Sequence, residues 1–195
     1  QRYRIAVALG RLRSSNPRLV PNRTGVIKHL EDELHGAYRS LSIQADLAHE
    51  PDLYPMVAAL DDRLMYQKRR IFRLLALIHD PCTIQTISRN LESTDATVRD
   101  NAVEIIDDLA DSSIRRALVN LVDRSDAAHK LAVVENEIHF EKRTAPQRLA
   151  ELLNDDEPFV AACALHLMGQ RQQGMDKALV EPMLDHRSPL VREAA

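Results

Sequence analysis

The densest run of like charges in this sequence is Lys68-Arg69-Arg70 followed by Arg73. Arg69 and Arg73 are four residues apart, so on a helix they form one basic stripe. Such a stripe can bind anionic groups, either lipid headgroups below a membrane domain or an acidic partner protein. The alternative is a solvated face that opposes the acidic run 31–33 on a neighbouring helix.

A second, smaller pair of cations is Arg115-Arg116, which follows the acidic pair Asp107-Asp108 in the chain. The residues predicted to bind a partner are Lys68, Arg69, Arg73, Arg115 and Arg116. As a hypothesis, the stripe formed by Lys68, Arg69 and Arg73 contacts a membrane-proximal partner.

Patterns typical of metal sites and of catalysis are scarce. A di-iron site would need several His-Glu pairs on facing repeats, and the sequence has only His49-Glu50, in a predicted turn. The carboxylate pairs Asp61-Asp62, Asp107-Asp108 and Asp155-Asp156 are typical of helix ends or solvated surfaces. No nucleophile motif is present. We predict no catalytic or metal-binding residues and no enzymatic activity.

Nucleotide and nucleic-acid binding are also poorly supported. The five glycines form neither a dinucleotide-binding motif nor a P-loop, so no cofactor is predicted. The chain has no Trp, four Tyr, three Phe and a net charge of −3. The chain therefore has few aromatic side chains on which bases could stack and little positive charge to bind a phosphate backbone. A nucleic-acid-binding helical repeat stays a third alternative.

The elements that must position the basic stripe are helices. Strand patterns with hairpin turns are nearly absent, which predicts an all-α fold. After a short helix from Arg2 to Leu12, apolar residues at a spacing of three and four predict a long helix from Asn22 or Thr24 to about Ala48. A second long helix begins near Pro55 and carries the stripe. We expect these two long helices to form an antiparallel hairpin.

The second half of the chain repeats a pattern at an interval of 31 residues. Val98, Val160 and Val191 are equivalent positions, and His129 occupies the same place in a degraded copy. Such a period is typical of an α-solenoid of stacked helix pairs. The side chain of His129 is expected to be partly buried against a carbonyl group, with a pH-sensitive or ligand-binding role as the alternative.

Each copy also predicts a helix start. Asp95, Asp126, Glu157 and Ser188 are equivalent, and their side-chain oxygens can accept hydrogen bonds from the first backbone amides of a helix. A similar turn, Asp111-Ser112-Ser113, is expected to cap the next helix.

Two regions follow from these patterns. Residues 1–80 are predicted to form the N-terminal helices with the long hairpin, and residues 81–195 to form the repeats. The last copy stops inside its first helix, so we expect this chain to be a fragment of a longer polypeptide.

Cys82 and Cys163 stand among apolar residues, which indicates free buried thiols and a cytoplasmic location. The sequence contains no run of 18 apolar residues, so no membrane span is predicted.

The repeats resemble HEAT repeats. Their first-helix signature is matched best by Asp95-Ala-Thr-Val98-Arg99-Asp-Asn-Ala102 and by Ser188-Pro-Leu-Val191-Arg192-Glu-Ala-Ala195. The resemblance implies a HEAT-type α-solenoid, which offers an extended surface for protein partners.

A narrower resemblance covers residues 1–125. It is to the soluble HEAT region of bacterial fusion proteins that carry an ATP/ADP translocase-like or major-facilitator-like membrane domain, often with a cyclic nucleotide-binding domain. The segments that carry it are Ala37-Tyr38-Arg39, Arg70-Ile-Phe72-Arg-Leu-Leu75, His79-Asp80-Pro81, Asn101-Ala-Val-Glu104-Ile-Ile-Asp107-Asp-Leu109 and Leu118-Val-Asn-Leu-Val-Asp123.

The resemblance implies a non-catalytic interaction or coupling module at the cytosolic face of a membrane. Its partner would be another protein or the adjoining membrane and cyclic-nucleotide-binding domains of the same polypeptide. The alternative is a free-standing soluble HEAT-repeat adaptor that binds another protein.

Overall fold

The computed structural model describes residues 2–16, 21–171 and 177–195. Within these residues the protein is all-α, with eleven α-helices and no β-strand. A short 3-10 turn, Pro51–Leu53, precedes α3. The helices are α1 (Arg2–Ser15), α2 (Arg23–Leu47), α3 (Tyr54–Ile78), α4 (Pro81–Leu91), α5 (Ala96–Leu109), α6 (Arg115–Val122), α7 (Ala127–Val134), α8 (Ala145–Leu152), α9 (Pro158–Arg171), α10 (Lys177–Leu184) and α11 (Pro189–Ala194).

The chain forms two compact units. Unit 1 comprises Gln1–Arg39 and Leu64–His139, and unit 2 comprises Ser40–Arg63 and Phe140–Ala195. The two long helices α2 and α3 therefore each contribute residues to both units. The boundary that the sequence predicts near residue 80 stays a prediction.

The long helices begin as the sequence predicts. The Asn22 side chain accepts a hydrogen bond from Gly25 N at 3.3 Å, so Asn22 is the side chain that caps α2. Pro55 lies in the first turn of α3, where its missing N–H breaks no helical hydrogen bond. Within unit 1, Gly36 of α2 lies against the buried Gln67 of α3, whose Nε2 is 3.1 Å from the place that a Cβ at Gly36 would take. A larger residue at position 36 would therefore need the Gln67 amide to shift by a few tenths of an ångström.

Side-chain caps define two of the shorter helices of unit 1. Asp80 accepts from Thr83 N at 2.7 Å at the start of α4, and this hydrogen bond holds the pKa of Asp80 below its usual value. Asp95 accepts from Thr97 N at 2.9 Å at the start of α5, which confirms the predicted cap. The cap predicted for α6 is wrong, because the residue before that helix is Ile114, without a side-chain hydrogen bond. The Asp111 carboxylate instead pairs with Arg23 at 2.8 Å.

The repeat pattern is confirmed at the other helix starts only in part. Asp126 accepts from His129 N at 2.7 Å and caps α7 as predicted. Ser188 makes no side-chain cap at α11. Near α9, Asp155 rather than Glu157 supplies the carboxylate, and it accepts from Glu157 N at 3.0 Å.

The predicted burial of His129 is wrong. Val160 and Val191 are buried at the equivalent positions, but the His129 side chain is exposed. In α7 the next residue, Lys130, turns inward instead, and its Nζ donates to Leu121 O at 3.2 Å. An ammonium group therefore stands in the interior of unit 1.

A buried polar network joins α2, α6 and α7 in unit 1. The hydroxyl group of Tyr38, which is fully buried, donates to Ala117 O at 2.8 Å. Asn120 Nδ2 donates both to Tyr38 Oη at 2.9 Å and to Lys130 O at 2.7 Å. Burial raises the pKa of Tyr38 to about 12, so the hydroxyl stays a donor through the physiological range.

We expect Tyr38→Phe to lower the free energy of unfolding by about 1–2 kcal/mol, because Ala117 O and Asn120 Nδ2 each lose a buried partner. Urea unfolding followed by circular dichroism measures this change. Tyr54→Phe is the matched control: Tyr54 is exposed, and the same deletion there is expected to cost less than about 0.5 kcal/mol. Equal costs at both positions would contradict the network.

The core of unit 2 is continuous from the end of α2 to α11. It is formed by side chains of α2, the Pro51–Leu53 turn, α3, α8, α9, α10 and α11, among them Leu47, Leu53, Met56, Leu60, Leu149, Leu152, Val160, Leu165, Met168 and Val191. Ala161 and Ala164 are buried, and small residues there let neighbouring helices approach closely.

Ion pairs surround this core. Arg63 Nη1 contacts Asp155 Oδ2 at 2.7 Å, and the Asp155 side chain is fully buried. The prediction that Asp155 is a solvated charge is therefore wrong, because the half-buried Arg63 takes the place of water as its partner. The Arg171 guanidinium forms ion pairs with the carboxylates of Glu50 and Asp52, at 2.6 Å each. These pairs place the predicted His49-Glu50 turn against α9.

Neither cysteine forms a disulfide. Cys163 is half-buried and burial raises the pKa of its thiol, but Cys82 is exposed. The predicted burial of Cys82 is wrong because Ile84 and Ile87 are the residues through which α4 packs.

Candidate functional site

The predicted basic stripe borders an open groove in unit 1, between the C-terminal half of α3 and the length of α4. We call this the cationic groove, and its volume is about 650 Å³. It is lined by Arg69, Phe72, Arg73 and Ala76 of α3 and by Pro81, Ile84, Gln85, Ser88, Arg89 and Glu92 of α4 and its C-terminal end.

Local sequence explains how the groove is built. Only His79 and Asp80 join α3 to α4, and Asp80 with Pro81 starts the second helix at once. The lining residues of α4 recur at intervals of three and four, so they lie on one face of that helix. Because the connection is so short, Ala76 and Pro81 lie at the joined end of the groove. Arg69 and Glu92 lie toward its open end.

Positive charge dominates the groove. The lining contains three guanidinium groups, of Arg69, Arg73 and Arg89, and one carboxylate, Glu92. Arg69 lies over the ring of Tyr66, with 5.8 Å between its Cζ and the ring centroid. Within the part of the chain that the structure describes, neither Arg69 nor Arg89 is paired with a carboxylate. These two arginines keep their capacity to bind an external anion.

Apolar side chains also line the groove. Phe72 is half-buried and Ile84 is 3% exposed, and both line the groove together with Ala76 and Pro81. An arginine guanidinium is planar and has five N–H donors, which match a carboxylate in pairs. The groove therefore places guanidinium groups beside apolar side chains.

The other predicted binding residues lie elsewhere. Lys68 is half-buried and does not line the cationic groove. Arg115 and Arg116 are exposed on α6 and border a different depression, which also contains Asp107 and Asp123. Arg116 is within 3.5 Å of Glu137.

The alternative interpretation of the basic run, that it opposes acidic residues of a neighbouring helix, holds for Arg70. Arg70, in the middle of the run, pairs with Glu33 of α2 at 2.8 Å, and that carboxylate is buried. The opposing acidic run therefore neutralises Arg70, which faces α2, whereas Arg69 and Arg73 face the groove.

Sequence reasoning missed Arg89 and Phe72. The spacing of Pro81, Gln85, Ser88 and Glu92 gives α4 a polar face with Arg89 beside it, and this is visible in the sequence. That this face turns toward Arg69 and Arg73 depends on the crossing of the two helices, which no local pattern encodes.

Across residues 2–16, 21–171 and 177–195, no group of three or more His, Cys, Asp or Glu side chains is placed to hold a metal ion. In the same part of the chain no helix is long and apolar enough to cross a bilayer.

Comparison with known proteins adds no relative: no family model, no curated protein and no solved structure matches this chain. The geometry of the cationic groove is therefore the basis for assigning a function.

Proposed function

We propose that this chain is a non-catalytic helical-repeat module that binds a polypeptide, and that the cationic groove is its binding surface. In this proposal the helices form a HEAT-type α-solenoid led by the antiparallel hairpin of α2 and α3. The module couples its polypeptide partner to the rest of the protein, or serves as a scaffold for it, and makes no chemical change in that partner.

One observation carries the proposal. Arg69, Arg73 and Arg89, from two different helices, line one groove together with Phe72 and Ile84. Arginine and aromatic residues are enriched at protein interfaces, where an apolar centre is surrounded by polar groups. A purely solvated helix face does not need an aromatic side chain beside its charges.

A concave site favours a polypeptide over a membrane surface. Lipid headgroups form a broad surface that is best reached by cations on a convex face, whereas these arginines line a depression. A nucleic acid fits less well, because the groove is short and the chain as a whole is acidic.

The wider context is also a proposal. In the version we prefer, the chain is the cytosolic part of a larger transporter-like membrane protein, and the groove binds an adjoining segment of the same polypeptide. The segments within residues 1–125 that resemble such proteins support this version. The alternative is a free-standing cytoplasmic adaptor with a separate partner.

Site-specific photo-crosslinking in the source cell tests the proposal. Gln85 is exposed and lines the groove, so a benzoylphenylalanine at this position is expected to crosslink to polypeptide. Thr86 is the matched control, because it is exposed on the same helix but lies outside the groove lining. We expect a strong crosslinked band for position 85 and little for position 86.

The mass of the product separates the two versions. A crosslink within one long polypeptide supports the coupling module, and a crosslink to a second polypeptide supports the adaptor. Crosslinks of equal yield at both positions, or crosslinks to lipid alone at position 85, would overturn the proposal.

A further inference from the structure

We infer that the cationic groove selects an acidic amphipathic segment, in which Asp or Glu side chains alternate with at least one large apolar side chain. This inference rests on the proposed function and deepens it, because it states the chemistry of the partner.

The charges of the groove give the first feature of the partner. Arg69 and Arg89 have no carboxylate partner among the described residues, and Arg73 lies one turn along α3 from Arg69. An external segment with carboxylates supplies the missing anions.

The apolar lining residues give the second feature. Phe72, Ala76 and Pro81 present carbon atoms toward the groove, and a purely charged ligand would leave that surface in contact with water. A Leu or Phe side chain of the partner would cover it, at a gain of about 25 cal/mol for each Å² of apolar surface removed from water.

The length of the groove sets the size of the segment. The lining of α4 extends from Pro81 to Glu92, which is about 16 Å at a rise of 1.5 Å per residue. This span matches about five residues of extended chain or three turns of helix.

Glu92 limits where a carboxylate of the bound segment can lie. It is the one carboxylate of the groove lining and repels a second carboxylate placed directly beside it. We expect the acidic residues of the partner to contact the arginines and a Lys or Arg, or a neutral residue, to lie near Glu92.

Selection from a library of random twelve-residue peptides displayed on phage tests the inference, with the full 195-residue chain as the target. We expect the enriched peptides to contain more Asp and Glu than the input library and at least one large apolar residue. Arg69→Glu with Arg73→Glu is expected to weaken these peptides by at least about tenfold, since each lost charge-assisted hydrogen bond is strong. Arg115→Glu with Arg116→Glu is the matched control and should leave their affinity unchanged.

The outcomes separate this inference from the proposed function. Neutral or basic peptides that compete with the Gln85 crosslink would overturn the acidic partner but leave a polypeptide-binding groove. Failure to enrich any peptide, together with absence of the Gln85 crosslink, would overturn both. Tight binding of phosphatidylserine vesicles that depends on Arg69 and Arg73, without acidic peptides, would assign the groove to a membrane surface and overturn the inference.

Discussion

Replacing Arg148 with alanine is expected to lower the stability of unit 2 by about 3–5 kcal/mol, because it leaves buried partners without their cation. The Arg148 side chain is 3% exposed. Its guanidinium donates to Asp46 Oδ2 at 2.8 Å, to Glu151 Oε2 at 2.7 Å, to Ser42 Oγ at 2.9 Å and to Glu141 O at 2.9 Å. Loss of the arginine removes four hydrogen bonds. It leaves Glu151 with the more exposed Arg143 side chain, at 3.0 Å, and Asp46 with the backbone N–H of Arg143, at 3.1 Å, as their remaining partners.

Hydrogen exchange of the amides in α8, together with urea unfolding, measures this loss. Arg143→Ala is the matched control: Arg143 also contacts Glu151, at 3.0 Å, but its side chain is 42% exposed, so its ion pairs contribute less than about 1 kcal/mol. If Arg148→Ala cost no more than Arg143→Ala, the network would not stabilise unit 2. Asp46→Ala combined with Arg148→Ala should cost less than the sum of the two single changes.

Replacing Lys130 with methionine is expected to stabilise unit 1 by about 1–3 kcal/mol at pH 7, although it removes a hydrogen bond. Lys130 is 6% exposed, and its ammonium donates to Leu121 O at 3.2 Å. Burial, and then the charge of Lys68, lower the pKa of Lys130 to about 8, while Asp123 acts in the opposite direction. Methionine fills a similar space without a charge that needs water.

The free energy of unfolding changes with pH at Lys130 in a definite direction. In the unfolded chain the amine keeps its ordinary pKa of 10.5, so between about pH 8 and 10.5 the unfolded state binds more protons than the folded state. The stability contributed at this site therefore rises with pH over that window, and it is constant below about pH 8.

The advantage of Lys130→Met over the original protein should thus be largest at pH 7 and should shrink by pH 10. Urea unfolding of both proteins at several pH values measures the difference between their free energies of unfolding. Groups that titrate in both proteins, such as Tyr38, cancel in this difference. Lys142→Met, at an exposed lysine, should change stability by less than about 0.5 kcal/mol at every pH. A destabilised Lys130→Met protein, or a difference independent of pH, would contradict the buried ammonium.

Features that depend on local chemistry are predictable from this sequence. Asn22, Asp95 and Asp126 cap helices as expected, because an N-cap involves only three or four neighbouring residues. The all-α class also follows from spacing alone. Asp111 was mispredicted because its carboxylate has a competing distant partner, Arg23, 88 residues away in the chain.

Features that depend on how helices turn toward each other are less predictable. His129 matches the valine position in sequence, but α7 turns Lys130 inward instead, and a repeat alignment cannot detect a small rotation of one helix. The cationic groove is a similar case. Arg69 and Arg73 follow from their spacing, whereas Arg89 joins them only through the crossing of α3 and α4.

The most direct test of the central claim combines the crosslinker at Gln85 with the charge reversals. With Arg69→Glu and Arg73→Glu, we expect the polypeptide crosslink in the source cell to fall to the level of the Thr86 control. With Arg115→Glu and Arg116→Glu, it should persist. A crosslink that survives the first pair, or that is lost equally with both pairs, would contradict the assignment of the cationic groove as the binding surface.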